Sequence, residues 1–369
     1  MITGNTPKAQ LKILTVAINN GYVSKKALRL MGEVDSTRSK ALHSLLNNGY
    51  LSKTTLNYDI INDEGKKKYY SETAYHINIY QYKKAKEHFG KLLENVEEIP
   101  LRSTATSRSK SNNIRALRRS EQMMMLQEIG CNIYPDESAT NIRYFTKEEL
   151  MKEIETEDPQ RMKYIRAYGC IATEHQLYIL YDLNRNSFAK LEDWIESLAY
   201  KSAVKKTDLK CEAKRIVFAE NEKKIRGVME KNVVTFSSKG MTRHYMSDTS
   251  LYKETLFIPK TIEGERQLDI LLMPNIKETL AKYLGLSPLP RTSMVDADGI
   301  KDDKYVLNFM YPNIAKLKRF ERGLEGKEHL GQIHCYSYIA EELRELYPKI
   351  EIVEHDIDEV YNHILMEAI

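Results

Sequence analysis

The stretch Asp35-Ser36-Thr37-Arg38-Ser39-Lys40-Ala41-Leu42-His43-Ser44-Leu45-Leu46-Asn47-Asn48-Gly49 decides how the rest of the chain is read. Asp35 is a good N-cap, because its carboxylate can accept from free backbone N–H groups of a first helical turn. Ala41, Leu42, Leu45 and Leu46 fall at helical spacing on one face, and Gly49 supplies a stop. The opposite face carries Ser36, Thr37, Lys40, Ser44 and Asn47, with Arg38 and His43 on its flanks. A helix that is apolar behind and polar and basic in front suits a major groove, where base edges need hydrogen-bond partners and phosphates need positive charge.

The flanking segments extend this pattern. Residues 6–20 read as a first helix closed by Gly21, and residues 24–31 as a second with Ser24 as N-cap and Gly32 after it. Residues 50–54 and 56–61 are β-prone runs, expected to form a hairpin with a tight turn at Thr54-Thr55. Residues 61–68 read as a turn leading into a basic helix start. This order predicts a winged helix over residues 1–72, with Lys53 in the wing and double-stranded DNA as partner. The alternative use of such a domain is protein docking.

Charge is divided unevenly. The net charge is +4 over 369 residues. Residues 1–120 hold about 21 Lys and Arg against about 10 Asp and Glu, near +11, and the remainder is near −7. A basic excess on the segment with the Ser/Thr-rich helix is the electrostatic footprint of nucleic-acid binding. At this length a second domain with its own core is required. The opening residues lack an apolar targeting core and no apolar run reaches membrane-spanning length, so a cytoplasmic protein without a membrane partner is expected. Four widely spaced cysteines, Cys131, Cys170, Cys211 and Cys335, predict neither a zinc site nor a disulfide framework.

Downstream, Tyr75, Ile79, Tyr82, Phe89, Leu92 and Val96 recur at three- and four-residue steps, which predicts one long amphipathic helix over residues 73–99. It is either the dimerisation helix of a homodimer or a strut onto the next domain. Residues 100–113, rich in Ser and Thr with Arg102, Arg108 and Lys110 and no acid, read as a basic linker. Arg115, Arg118 and Arg119 continue the basic run, either along phosphates or as a solvated tether. Residues 114–369 then alternate short strands and helices, an α+β or α/β arrangement with a mixed sheet covered by helices. No period indicates a repeat array.

Two resemblances follow from these residues. The segment through Asn48-Gly49-Tyr50-Leu51 and Asn62-Asp63-Glu64-Gly65-Lys66 resembles the winged-helix domains of MarR and PadR regulators. The whole chain, with Arg166-Ala167-Tyr168-Gly169, the run Leu177 to Asp182, Trp194, Glu196 and Val306-Leu307-Asn308-Phe309, resembles replication-relaxation proteins of Gram-positive plasmids and integrative elements. That second resemblance implies a role in replication or conjugative DNA processing, with other replication or transfer proteins as partners. It also implies a nuclease-like C-terminal sheet that is often not an active enzyme.

The catalytic motifs give little. No His-x-His pair stands among the nine histidines, and no phosphate-cradling Gly-x-x-x-x-Gly-Lys-Ser/Thr loop is present. Glu212-Ala213-Lys214, with Asp182 or Asp193 upstream, is the one nuclease-like triplet weighed, since carboxylates with a lysine can hold Mg²⁺ and steady an attacking water. Asp296, Asp298, Asp302 and Asp303 read as a solvated acidic loop, and His329, His334 and Cys335 as a surface or core cluster. The expectation is therefore a non-enzymatic DNA-binding protein without metal or cofactor. A nuclease and a ligand-responsive regulator are the alternatives.

Overall fold

The computed structural model describes residues 5–61, 67–93, 110–131, 142–152, 165–183, 193–209, 211–230, 234–237, 240–243, 252 and 254–367. The chain divides into a unit over Met1–Tyr144 and one over Phe145–Ile369. Overall it is a mixed α+β protein. Among the described residues no helix is long and apolar enough to cross a membrane.

The first unit runs α1 (Asn5–Asn20), β1 (Tyr22–Ser24), α2 (Lys25–Arg29), α3 (Asp35–Asn47), β2 (Ser52–Ile61), β3 (Lys67–His76), α4 (Ile79–Phe89) and α5 (Lys110–Glu128). Gly21, at φ 76°, turns α1 into β1, a strand too short to stand out in the sequence. β1 pairs antiparallel with β3, and β3 with β2, giving the order β1-β3-β2.

Several expectations are corrected here. β2 continues through Thr54-Thr55 without a turn, because two β-branched residues favour extension and neither accepts positive φ. Ile61 is in register with Lys67, residues 62–66 lie outside the described residues, and Lys67 and Lys68 begin β3, not a helix. The expected long helix is shorter. Residues 73–76 belong to β3, α4 starts only where Asn78 and Gln81 form a capping box, and it ends at Gly90 with φ 48°. Helix α3 begins at Asp35 itself, with Val34 in the cap position and no side-chain cap.

The largest correction concerns α5, expected in the second domain. It belongs to the first unit and packs on α1, α2, β1 and β2. Leu117 and Met123 to Leu126 are buried. Ser120 accepts from the Ser24 backbone N–H at 3.1 Å, and Lys12 bridges Glu128 at 2.7 Å and Glu33 at 2.9 Å. Burial of these five large apolar side chains is worth roughly 1.5–3 kcal/mol each. A fragment of residues 1–144 should therefore unfold cooperatively on heating, whereas residues 1–109 should lack a cooperative transition by circular dichroism. Equal melting of both would detach α5 from this core.

The second unit opens with β4 (Arg143–Thr146), which spans the dividing line, and α6 (Lys147–Lys152). Then come β5 (Gly169–Ala172), β6 (Leu177–Asp182), α7 (Asp193–Thr207), β7 (Ala213–Ala219), α8 (Glu222–Met229), the small hairpin β8 (Val234–Ser237) and β9 (Gly240–Arg243), β10 (Thr255–Pro259), α9 (Ile262–Leu271) and α10 (Ile276–Tyr283). The chain finishes with β11 (Gly299–Lys301), β12 (Lys304–Asn308), α11 (Ile314–Gly323), β13 (Gly331–Tyr336), α12 (Ser337–Leu346), β14 (Glu351–His355) and α13 (Ile357–Glu367). Asn221, Thr261 and Asn313 cap α8, α9 and α11, which is why these strand-to-helix steps are sharp.

The same supersecondary succession occurs twice. An antiparallel hairpin, β5-β6 or β11-β12, is followed by a helix, a parallel strand, a helix, a second parallel strand and a helix. The strand orders β5-β6-β7-β10 and β11-β12-β13-β14 correspond, with β8-β9 inserted only in the first. Corresponding helices meet, as in a two-fold arrangement. Arg226 of α8 donates to Glu342 of α12 at 2.9 Å and also to Glu345. Tyr361 of α13 donates to Asp269 of α9 at 2.8 Å, beneath the Arg266 guanidinium. A bridge joins Leu256 of β10 to Asn313, the cap of α11. Val217, Phe257, Leu307 and Ile333 share one core.

Gly264 in α9 lies against the preceding strand, and a Cβ there would stand 1.8 Å from the Pro259 carbonyl oxygen. Helix propensity favours alanine by about 1 kcal/mol. The clash should win, so Gly264→Ala should lose at least about 2 kcal/mol in urea unfolding, and a gain in stability would contradict this packing.

Candidate nucleic-acid interface

Helix α3 turns Ala41 and Leu45 inward, both fully buried. At about 100° per residue its exposed residues Ser36, Ser39, Lys40, His43 and Asn47 form one stripe. Thr37 and Ser44 are half-buried on its flank. His43 therefore stands in the centre of the stripe. Its Nε2 lies 2.8 Å from the Asn47 amide nitrogen, so the ring accepts there and keeps Nδ1–H as a donor. The Ser44 hydroxyl accepts from Asn48.

Arg38 does not face outward with these residues. Its guanidinium donates to the backbone carbonyls of Arg29 at 3.3 Å and Met31 at 3.1 Å and pairs with Asp35. It spends its donors closing the end of α2 onto α3, and so positions the stripe instead of extending it. Ser39, missed in the sequence, takes its place on the exposed side. The 3.6-residue period could have identified it.

The β2-β3 hairpin adds exposed Lys53, in register with Tyr75, and Tyr69, which is 73% exposed. Tyr58 and Tyr70 stack at 5.6 Å, and Tyr58 donates to Glu72 at 2.9 Å. Burial, and then Glu72, push the Tyr58 hydroxyl pKa up, while Arg118 opposes them. Of the five arginines expected along phosphates, Arg115 is exposed, Arg118 and Arg119 are half-buried, and Arg102 and Arg108 lie outside the described residues. The linker expected at 100–113 likewise lies outside them up to residue 109, and Lys110 to Asn113 are helical.

Among the described residues of the second unit, Asp182 does not join Lys214. Lys214 is in register with Tyr178 and faces Glu254 at 3.3 Å, while Asp182 is in register with Phe218. Four strand steps separate the two positions, roughly 13 Å. Asp182 accepts from Lys260 at 2.9 Å, and that pair is buried. Glu212 is exposed, and Asp193 opens α7 with its side chain outside the description.

The acidic loop is solvated in part, with Asp302 and Asp303 exposed and Asp296 and Asp298 paired. Asp296 accepts from Arg319 at 2.6 Å, Asp298 pairs with Lys316, and Asp302 and Asp303 form the tight turn between β11 and β12. His329 is exposed in the short helix Glu328–Leu330, and Cys335 enters the core, so neither joins His334. Among the described residues no three His, Cys, Asp or Glu side chains converge to hold a metal.

Compared with family models, curated proteins and solved structures, the chain finds no match.

Arg38→Ala should lower the stability of the first unit by about 1–2 kcal/mol in thermal unfolding, since two carbonyls lose their donor. Lysine, with one ammonium, should not restore it. Replacing exposed Lys40 should stay within about 0.5 kcal/mol. A neutral Arg38→Ala would return Arg38 to the outward-facing set.

Proposed function

We propose that the first unit is a winged helix that docks α3 on double-stranded DNA in a sequence-specific manner, with the β2-β3 hairpin as its wing. The observation that carries this reading is the exposed stripe Ser36, Ser39, Lys40, His43 and Asn47 on a helix whose other face is committed to the core. The order helix, strand, helix, helix, strand, strand supports it, as does the basic excess of residues 1–120. The second unit acts without catalysis, by recruiting partners or by pairing with a second copy. The resemblance to mobile-element proteins makes replication or transfer of such an element the setting.

The test begins by enriching bound fragments from a random DNA pool. Alanine at Ser36, Lys40, His43 or Asn47 should each weaken binding to the enriched site by about 1–3 kcal/mol. Lys53→Ala should weaken all sequences alike. Normal folding with unchanged gel-shift affinity in the α3 variants would favour protein docking instead. With Mg²⁺ or Mn²⁺ the bound DNA should stay intact, and nicking lost in Glu212→Ala or Lys214→Ala would restore the nuclease reading.

A further inference from the structure

The last two strands of the second unit, β13 and β14, are joined by a direct contact between two histidines. His334 is in register with Val353, and Tyr336 with His355, so the two histidine rings stand diagonally on one face of the sheet. His334 Nδ1 lies 2.8 Å from His355 Nε2, with the ring centroids 5.1 Å apart. His334 is buried and His355 half-buried. β14 is an edge strand, and β13 is its one neighbour in the sheet. Beyond that ladder, Arg344 of α12 pairs with Glu354, Lys304 of β12 pairs with Glu351, and Ser337 donates to the His355 carbonyl at 3.1 Å.

Donors and acceptors in this row match in one way. Gln332 gives its amide N–H to the Glu351 carboxylate. Its oxygen, 2.8 Å from His334 Nε2, therefore accepts from Nε2–H. That leaves His334 Nδ1 to accept from His355 Nε2–H, and His355 Nδ1 with a lone pair. A first proton can enter at His355 Nδ1 without disturbing the contact. A second must take the lone pair of His334 Nδ1, which the contact itself uses, and two imidazoliums then face one another N–H to N–H.

We propose that the His334–His355 bond is an acid-sensitive latch: when both rings carry a proton, β14 loosens from β13 while α13 stays on α9. The inference is independent of the DNA reading. Burial first, then His355 and Lys301, bring His334 down to about 4 against the pull of Glu351, and burial and then Lys301 lower His355. Lys301 and Lys304 lie toward the Gln332 end of the face. At the other end Tyr336 is beside His355, the Tyr283 ring of α10 lies against His355, and His363 of α13 lies across that ring. Asp356 and Glu359 act on the Tyr283 hydroxyl. Once β14 is loose, both rings return toward the ordinary 6.5 and bind protons that the latched form refuses. Closure is therefore complete above about 6.5 and weakens as pH falls from there to about 4. The ties of α13 to α9, from Tyr361 to Asp269 at 2.8 Å and from Arg266 to Asp358 at 3.3 Å, contain no histidine.

The test is amide hydrogen–deuterium exchange of the full chain at pH about 7.5 and about 5, corrected for the intrinsic effect of pH. Protection of residues 351–355 should fall about tenfold or more, while residues 305–308 and 361–366 should change by less than about twofold. His355→Gln keeps an N–H for His334 Nδ1 and can turn its amide oxygen to a protonated ring, so it should remove most of that fall. An equal fall in all three segments, no fall at all, or a fall undiminished in His355→Gln would overturn the proposal. Should the variant lose β14 already at the higher pH, the ring titrations of the unaltered chain by NMR decide. His334 should take its proton well below the ordinary 6.5, and independent titration of both rings near that value would overturn the latch.

Discussion

Helix α3 has to satisfy two surroundings at once, and much of the first unit follows from that constraint. Ala41 and Leu45 pack against α1, which fixes the rotation of α3, and Arg38 locks its first turns to the end of α2. With rotation and entry angle both fixed, the polar side chains have one direction left. A reading helix gains specificity from such preorganisation, because a donor displaced by about an ångström no longer matches a base edge. α5 serves the same end from behind. By covering α1, α2 and the sheet it supplies a core that a unit of this size needs.

The second unit reaches its size by repeating one solution. Each hairpin-and-two-parallel-strand layer leaves helices to be covered, and the two layers cover one another through α8 with α12 and α9 with α13. The pairs are sealed by charge-assisted contacts from Arg226 and Arg266, more consequential for alignment than for stability, since partly exposed ion pairs contribute little. The halves are not equivalent. The first closes both faces of its sheet with buried residues, whereas the second keeps a row of lysine, glutamine, histidine and glutamate side chains on one face. That row is what distinguishes the second half chemically.

The alternation of short strands and helices in the second unit was legible in the sequence. Apolar runs such as Ile216 to Ala219 carry a strand signature, whereas the caps Asn221, Thr261 and Asn313 were not read from the sequence. The first unit was legible where the period was clean, as along α3, and misleading where composition dominated. The arginines of α5 suggested a tether, although Leu117 and Met123 to Leu126 decide its burial. Thr54-Thr55 suggested a turn because both are polar, although both prefer extension. What depends on register was not legible at all. His334 and His355 are 21 residues apart and meet only because β13 and β14 run parallel. Arg38 reads as an outward basic residue until the α2 carbonyls are placed within its reach. The repeated succession leaves no period in the sequence because it lies in the topology, with β8-β9 inserted in the first half.

The central claim is that α3 and the β2-β3 hairpin together form the surface that meets DNA. Amide hydrogen–deuterium exchange on the full chain, with and without an enriched duplex, addresses it most directly. The account predicts that DNA slows exchange in α3 and in the described strands of the hairpin, and leaves α9 and α13 unchanged. Protection confined to the second unit, with α3 exchanging as in the free protein, would contradict it.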